Sequence, residues 1–121
     1  MIEKRRFHRV LFRTRCLVRH DEIPYDGYVE NISLKGAMVS FDEAIMVPQG
    51  DCCSLEISLA GEKAPLLITA EIIYSTMFRI GVEFGTFEAG HHFRLCGLME
   101  RLTSEPGKLR EELKLIGLES D

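Results

Sequence analysis

Between residues 10 and 19 the side chains alternate. Val10, Phe12, Cys16 and Val18 take one face, and Arg13, Arg15 and Arg19 take the other. A period of two is that of a strand with one face buried. Residues 20–26 contain Pro24 and read as a turn. Residues 28–33 and 37–41 form a second and a third short strand, and Pro48, Gly50 and Asp51 punctuate the loop that follows. Leu55, Ile57 and Leu59 alternate with Glu56 and Ser58, giving a fourth strand. Residues 66–74 and 78–84 make the fifth and sixth. In the last, Phe78, Ile80, Val82 and Phe84 face one way, and Arg79 and Glu83 the other. Six short strands with close turns predict a mainly β fold, a six-stranded antiparallel barrel.

The tail changes period. Leu95, Leu98, Met99 and Leu102 fall at helical spacing. Ser104, Glu105 and Pro106 read as a stop and a fresh start, with proline at the first helical position. Leu109, Leu113 and Ile116 continue a second apolar stripe, and Gly117 suits a C-cap. The predicted organisation is a flexible segment over residues 1–9, a barrel over 10–86 and C-terminal helices over 87–118.

Charge changes this picture at one end only. The chain has 121 residues and a net charge of −4, yet its first 20 residues hold seven Lys or Arg against the single acid Glu3. A basic head on an acidic body fits a local anion site better than a general nucleic-acid coat. No apolar run approaches the ~20 residues of a membrane helix. The basic N-terminus lacks the apolar stretch of a signal peptide, so the expected location is cytoplasmic, without membrane insertion. Cys16, Cys52, Cys53 and Cys96 form no CxxC pair and no ligand spacing with histidine, which predicts reduced structural thiols and no metal site. Alternation points the adjacent Cys52 and Cys53 to opposite faces. His91-His92 reads as a helix start.

Two polar motifs remain. Lys4-Arg5-Arg6-Phe7-His8-Arg9 stands just before the first strand, and Arg5 and Arg9 form an RxxxR pair. Guanidinium forks bind phosphate in bidentate fashion, pair with the O6/N7 edge of guanine and stack on base planes. Asn31-Ile32-Ser33-Leu34-Lys35-Gly36 lies between the second and third strands. Asn31 and Ser33, two apart at a strand end, are expected to point the same way, the amide toward a base edge and the hydroxyl toward a phosphate. Gly36 supplies either a positive φ or a close approach. At these residues the chain resembles the PilZ domain family, whose pattern is RxxxR followed about twenty residues later by D/N-x-S-x-x-G on a barrel. Arg79-Ile80-Gly81-Val82-Glu83-Phe84 is similar to the family's closing strand. The tail with Pro106 resembles that of the small stand-alone PilZ receptors.

The resemblance implies cyclic di-GMP as ligand, with no further cofactor. It implies Arg5, Arg6, Arg9, Asn31, Ser33 and Gly36 as ligand-binding residues, with Lys4 adding a phosphate or guanine contact. Tyr74, seven residues before Gly81, matches the place where stand-alone members put an aromatic that stacks on guanine. Asn31 departs from the aspartate more usual there and gives up a charge-assisted bond to guanine N–H groups. The implied function is a non-enzymatic second-messenger receptor that changes conformation and signals to a protein partner. The alternative is a PilZ-like protein-interaction adaptor that binds no nucleotide. No paired carboxylates, activated nucleophile or metal set points to a hydrolase.

Overall fold

A computed structural model describes residues 7–116 of the chain. Six strands, β1 (Val10–His20), β2 (Ile23–Ile32), β3 (Gly36–Ser40), β4 (Cys52–Ile57), β5 (Leu66–Ser75) and β6 (Arg79–Phe87), precede two helices, α1 (His91–Leu102) and α2 (Pro106–Leu115). The strands close into a barrel in the order β1-β2-β3-β6-β5-β4, and every neighbouring pair is antiparallel. Val18, Val29, Ile32, Val39, Leu55, Ile57, Leu66, Ile72, Ile80 and Val82 fill its interior, each at most 1% exposed. The expected six-stranded barrel with C-terminal helices is therefore the fold, and the helix starts at His91 and Pro106 fall where the sequence puts them.

Local departures have physical causes. The turn expected over residues 20–26 shrinks to Asp21-Glu22, both with positive φ (51° and 66°), the geometry of a two-residue hairpin turn. His20 then pairs with Ile23 and Arg19 with Pro24, close to the strand's start, where proline's missing N–H is tolerated. Phe78 leaves the face assigned to it: it is half exposed in the turn before β6, where its carbonyl accepts the Phe41 N–H at 2.9 Å. The fourth strand ends at Ile57, although Leu59 beyond it is still buried.

The helices lie on the barrel. α1 buries Leu95, Cys96, Leu98 and Met99 and touches β5 and β1. Its first turn is tied to the β4–β5 connection. The Leu67 N–H donates to His91 Nδ1 at 2.8 Å, and the Arg94 guanidinium donates to Glu62 Oε1 (2.7 Å) and the Pro65 carbonyl (3.0 Å). α2 buries Leu109 and Glu112 and packs on α1. Gly117, the expected cap, lies outside the described residues. Among the described residues no helix is long and apolar enough to cross a membrane.

Candidate functional site

The site is built by strand register. Leu11 of β1 pairs with Asn31 of β2, Asn31 with Met38 of β3, Met38 with Gly81 of β6, and Gly81 with Tyr74 of β5. Directly opposed residues share a face, so these five form one row across five strands. The adjacent row, Val10, Ile32, Ala37, Val82 and Ile72, points into the core. The Asn31 row is therefore the outer wall, with Leu11 89% and Tyr74 44% exposed. Three strand spacings separate Asn31 from Tyr74, about 14 Å.

Bulges put two of these residues outside. Val29 is fully buried, and strict alternation would bury Asn31 as well. A register shift between Val29 and Asn31 inserts Glu30 and turns Asn31 outward. A second shift between Ile72 and Tyr74 inserts Ile73 and does the same for Tyr74 beside buried Ile72. Gly81 keeps the wall flat between Met38 and Tyr74. A Cβ there would lie 3.4 Å from Tyr74 Cβ and 3.9 Å from Met38 Cε.

The two sequence motifs meet at this wall. Arg9 Nη1 donates to Asn31 Oδ1 at 2.9 Å. Ser33 behaves differently from the expectation. It is buried, and its Oγ accepts the N–H groups of Lys35 and Gly36, both at 3.1 Å. Its own N–H donates to the Gly36 carbonyl at 2.8 Å. The Ser33 hydroxyl thus closes the β2–β3 turn and does not share the outward direction of the Asn31 amide. Ile32, inside the barrel, intervenes, and Ser33 already stands beyond the end of β2. Gly36 is required for close approach: a Cβ would sit 2.3 Å from the Val82 carbonyl oxygen. Lys4, Arg5 and Arg6 lie outside the described residues.

Electrostatics around the row are set by neighbours on the same wall. Glu30, lifted out by the bulge, accepts a short hydrogen bond from the Ser40 hydroxyl and an ion pair from Arg13 Nε at 3.2 Å. The Ser40 bond first, then Arg13, hold its carboxyl below the usual carboxylate value. Arg13 also stacks 4.2 Å over the Tyr28 ring, and Arg19 reaches Glu56 at 3.3 Å, so both serve the outer face of β1. Concavities of 230, 270 and 420 Å³ occur elsewhere; the last is lined by Tyr25, Phe41, Asp42 and Glu43, and none includes a candidate residue. Sequence reasoning missed Leu11, Met38 and Glu30, whose place follows from register and bulges. Among the described residues no group of three or more His, Cys, Asp or Glu side chains could hold a metal ion.

His8, a spacer inside the basic motif, has a defined setting. Its backbone N–H donates to Glu112 Oε2 at 2.7 Å, and its Nδ1 lies 2.8 and 2.9 Å from the two carboxylate oxygens. Its Nε2 lies 2.7 Å from Thr103 Oγ1.

Solved structures share this architecture. The PilZ domain of YcgR from Escherichia coli, solved with c-di-GMP, superposes with a TM-score of 0.69 at 16% identity, covering 93% of this chain and 98% of that one. The PilZ domain of CeSA from a cellulose-synthesizing bacterium gives 0.61 at 22% identity, covering 75% and 93%. The Bacillus subtilis inhibitor of motility MotI/DgrA gives 0.66 at 18% identity over 83% of this chain, which spans about half (51%) of that protein. No curated protein matches the chain in sequence. The PilZ domain model matches residues 3–96, well over half of the chain. With both motifs joined on a closed six-stranded barrel, the chain belongs to the PilZ domain family.

Proposed function

We propose that this protein is a cyclic di-GMP receptor that does no chemistry on its ligand. The observation that carries the reading is the Arg9–Asn31 hydrogen bond at 2.9 Å, which joins the two motifs on an outer row ending in Tyr74. A guanine fits such a wall. Asn31 offers an amide to its edge, Met38 and Gly81 give a level surface, and the Tyr74 ring offers a stacking face. Arg9, with Arg5, Arg6 and Lys4 of the preceding segment, supplies the guanidinium and ammonium groups for phosphates and the O6/N7 edge. Ser33 and Gly36 act by shaping the turn that presents Asn31. The co-structure of the YcgR domain with c-di-GMP supports this reading through a shared fold.

In this reading segment 1–9 closes over the ligand, and a partner protein in the cytoplasm reads the altered surface. Isothermal titration of cyclic di-GMP into wild type and Arg5→Ala/Arg9→Ala, with GTP and cyclic GMP as controls, tests it. Wild type is expected to bind with weak controls. The double variant is expected to lose about a hundredfold or more in affinity, since each charge-assisted bond is worth roughly 1.5–3 kcal/mol. The stoichiometry reports one ligand or a stacked pair. No binding by wild type at high ligand concentration would overturn the receptor reading in favour of a nucleotide-free adaptor.

A further inference from the structure

The His8–Glu112 contact joins residues 104 apart in sequence and is sealed from solvent, with side chains 7% and 3% exposed. The carboxylate is an acceptor only, so His8 Nδ1 carries the hydrogen shared with Glu112, while Nε2 pairs with the Thr103 hydroxyl. Thr103 caps the end of α1, and its Oγ1 also accepts the Glu105 N–H at 2.9 Å at the approach to α2. One imidazole therefore touches both helices. The two donors recorded on the Glu112 carboxylate, a backbone N–H and Nδ1, both come from His8. Separating them strands a buried carboxylate on α2 and a buried imidazole on the arm, which is far costlier than either alone in water. Arm and helix are thus held or released together. The residue after His8 is Arg9, which bonds to Asn31.

We infer that Glu112 and Thr103 are positioning residues for the nucleotide site: by latching His8 they fix the arm so that Arg9 meets Asn31, and they make docking of α2 part of the site. The inference rests on the receptor reading for its ligand arm alone. By linkage, a ligand held better with the latch closed must in turn hold α2 more firmly, although α2 contributes no candidate contact to it. The coupling gives the bound state an output on the far side of the arm.

Amide hydrogen exchange of α2 in wild type, His8→Ala and Glu112→Gln, with and without cyclic di-GMP, tests this alongside calorimetry of each protein. In wild type, saturating cyclic di-GMP is expected to slow α2 exchange several-fold. Without ligand, both variants are expected to exchange α2 amides about tenfold faster and to bind cyclic di-GMP about tenfold more weakly. Protection of core amides in β3 and β6 verifies that each variant keeps its barrel. Where Glu112→Gln loses that protection, Thr103→Val, which removes only the Nε2 partner, takes its place. Unchanged α2 exchange in the ligand-free variants, or ligand binding that leaves wild-type α2 unaffected, would overturn the inference. Wild type that binds no cyclic di-GMP sinks the receptor reading, and the ligand-free variants still decide whether the latch holds arm and helix together.

Discussion

Single residues in this site divide by what a small change would meet. At Gly36 a methyl group would stand 2.3 Å from a backbone oxygen of β6, and backbone in a closed barrel cannot step aside. Gly36→Ala is expected to destabilise the fold by roughly 3 kcal/mol, the upper end for overpacking, measured by urea denaturation. At Gly81 a methyl would stand 3.4 Å from Tyr74 Cβ, an ordinary contact. Gly81→Ala should therefore fold with little loss, within about 1 kcal/mol of wild type. It would still raise a step in the flat wall and weaken cyclic di-GMP binding. A stable Gly81→Ala protein with undiminished affinity would remove this part of the wall from the site. The same contrast separates two roles the motif spacing merges: Asn31 stands on the outer wall and meets Arg9, and Ser33 holds the turn through the N–H groups of Lys35 and Gly36.

At the scale of elements, the sequence reveals most where periodicity is unbroken. Ile80, Val82 and Phe84 alternate with Arg79 and Glu83 without interruption, and β6 carries them as alternation predicts. It reveals least at bulges. Nothing in the order Val29-Glu30-Asn31 or Ile72-Ile73-Tyr74 tells that one residue will be extra, because the surplus is defined by the partner strand. Leu11 and Met38 escape sequence reasoning for a related cause: nothing in their own strands tells that register sets them in line with Asn31. Residues far apart pose a similar problem. The His8–Glu112 pair needs the whole fold to form, and neither residue stands in a pattern that would flag the other. The bulge itself can be tested. Deleting Ile73 removes the surplus residue and makes Tyr74 the direct successor of inward-facing Ile72, so plain alternation keeps Tyr74 on the outer wall opposite Gly81. The deletion variant is expected to keep the accessibility of Tyr74 to nitration, undiminished cyclic di-GMP binding and a β-rich circular dichroism spectrum. A Tyr74 protected from nitration in the deletion variant would show that the bulge, not the pairing with Gly81, turns the ring outward.

For the whole molecule, the question is whether the barrel opens as one unit or along its seam. Closure depends on β1 meeting β4, where the register pairs only Cys16–Arg19 with Ile57–Ser54. Thiols stand at this seam on both strands. Cys16 and Cys53 are buried, and Cys52, on the other face of β4, is exposed, as alternation predicts for an adjacent pair. Burial pushes the Cys16 thiol up to about 12 and the Cys53 thiol up to about 11, so neither offers thiolate near neutral pH while the barrel is closed. The thiol of Cys96, on the buried face of α1, is raised by burial too. These thiols hold their protons more tightly folded than unfolded, so their contribution is intact below pH 9 and is lost as pH rises from 9 toward 12, where the unfolded chain releases protons first. Alkylation with iodoacetamide at pH 8, followed by mass spectrometry, should therefore modify Cys52 quickly. Cys16 and Cys53 should react slowly and at one shared rate that tracks global unfolding in urea. Equal rates follow because both thiols are buried in one core: Cys16 stands in the β1–β4 ladder, Cys53 lies one residue beyond it and pairs with Ala70 of β5, and opening that core frees both. If Cys53 reacts well ahead of Cys16, β4 frays without the rest, and the barrel is two cooperative units joined at a weak seam.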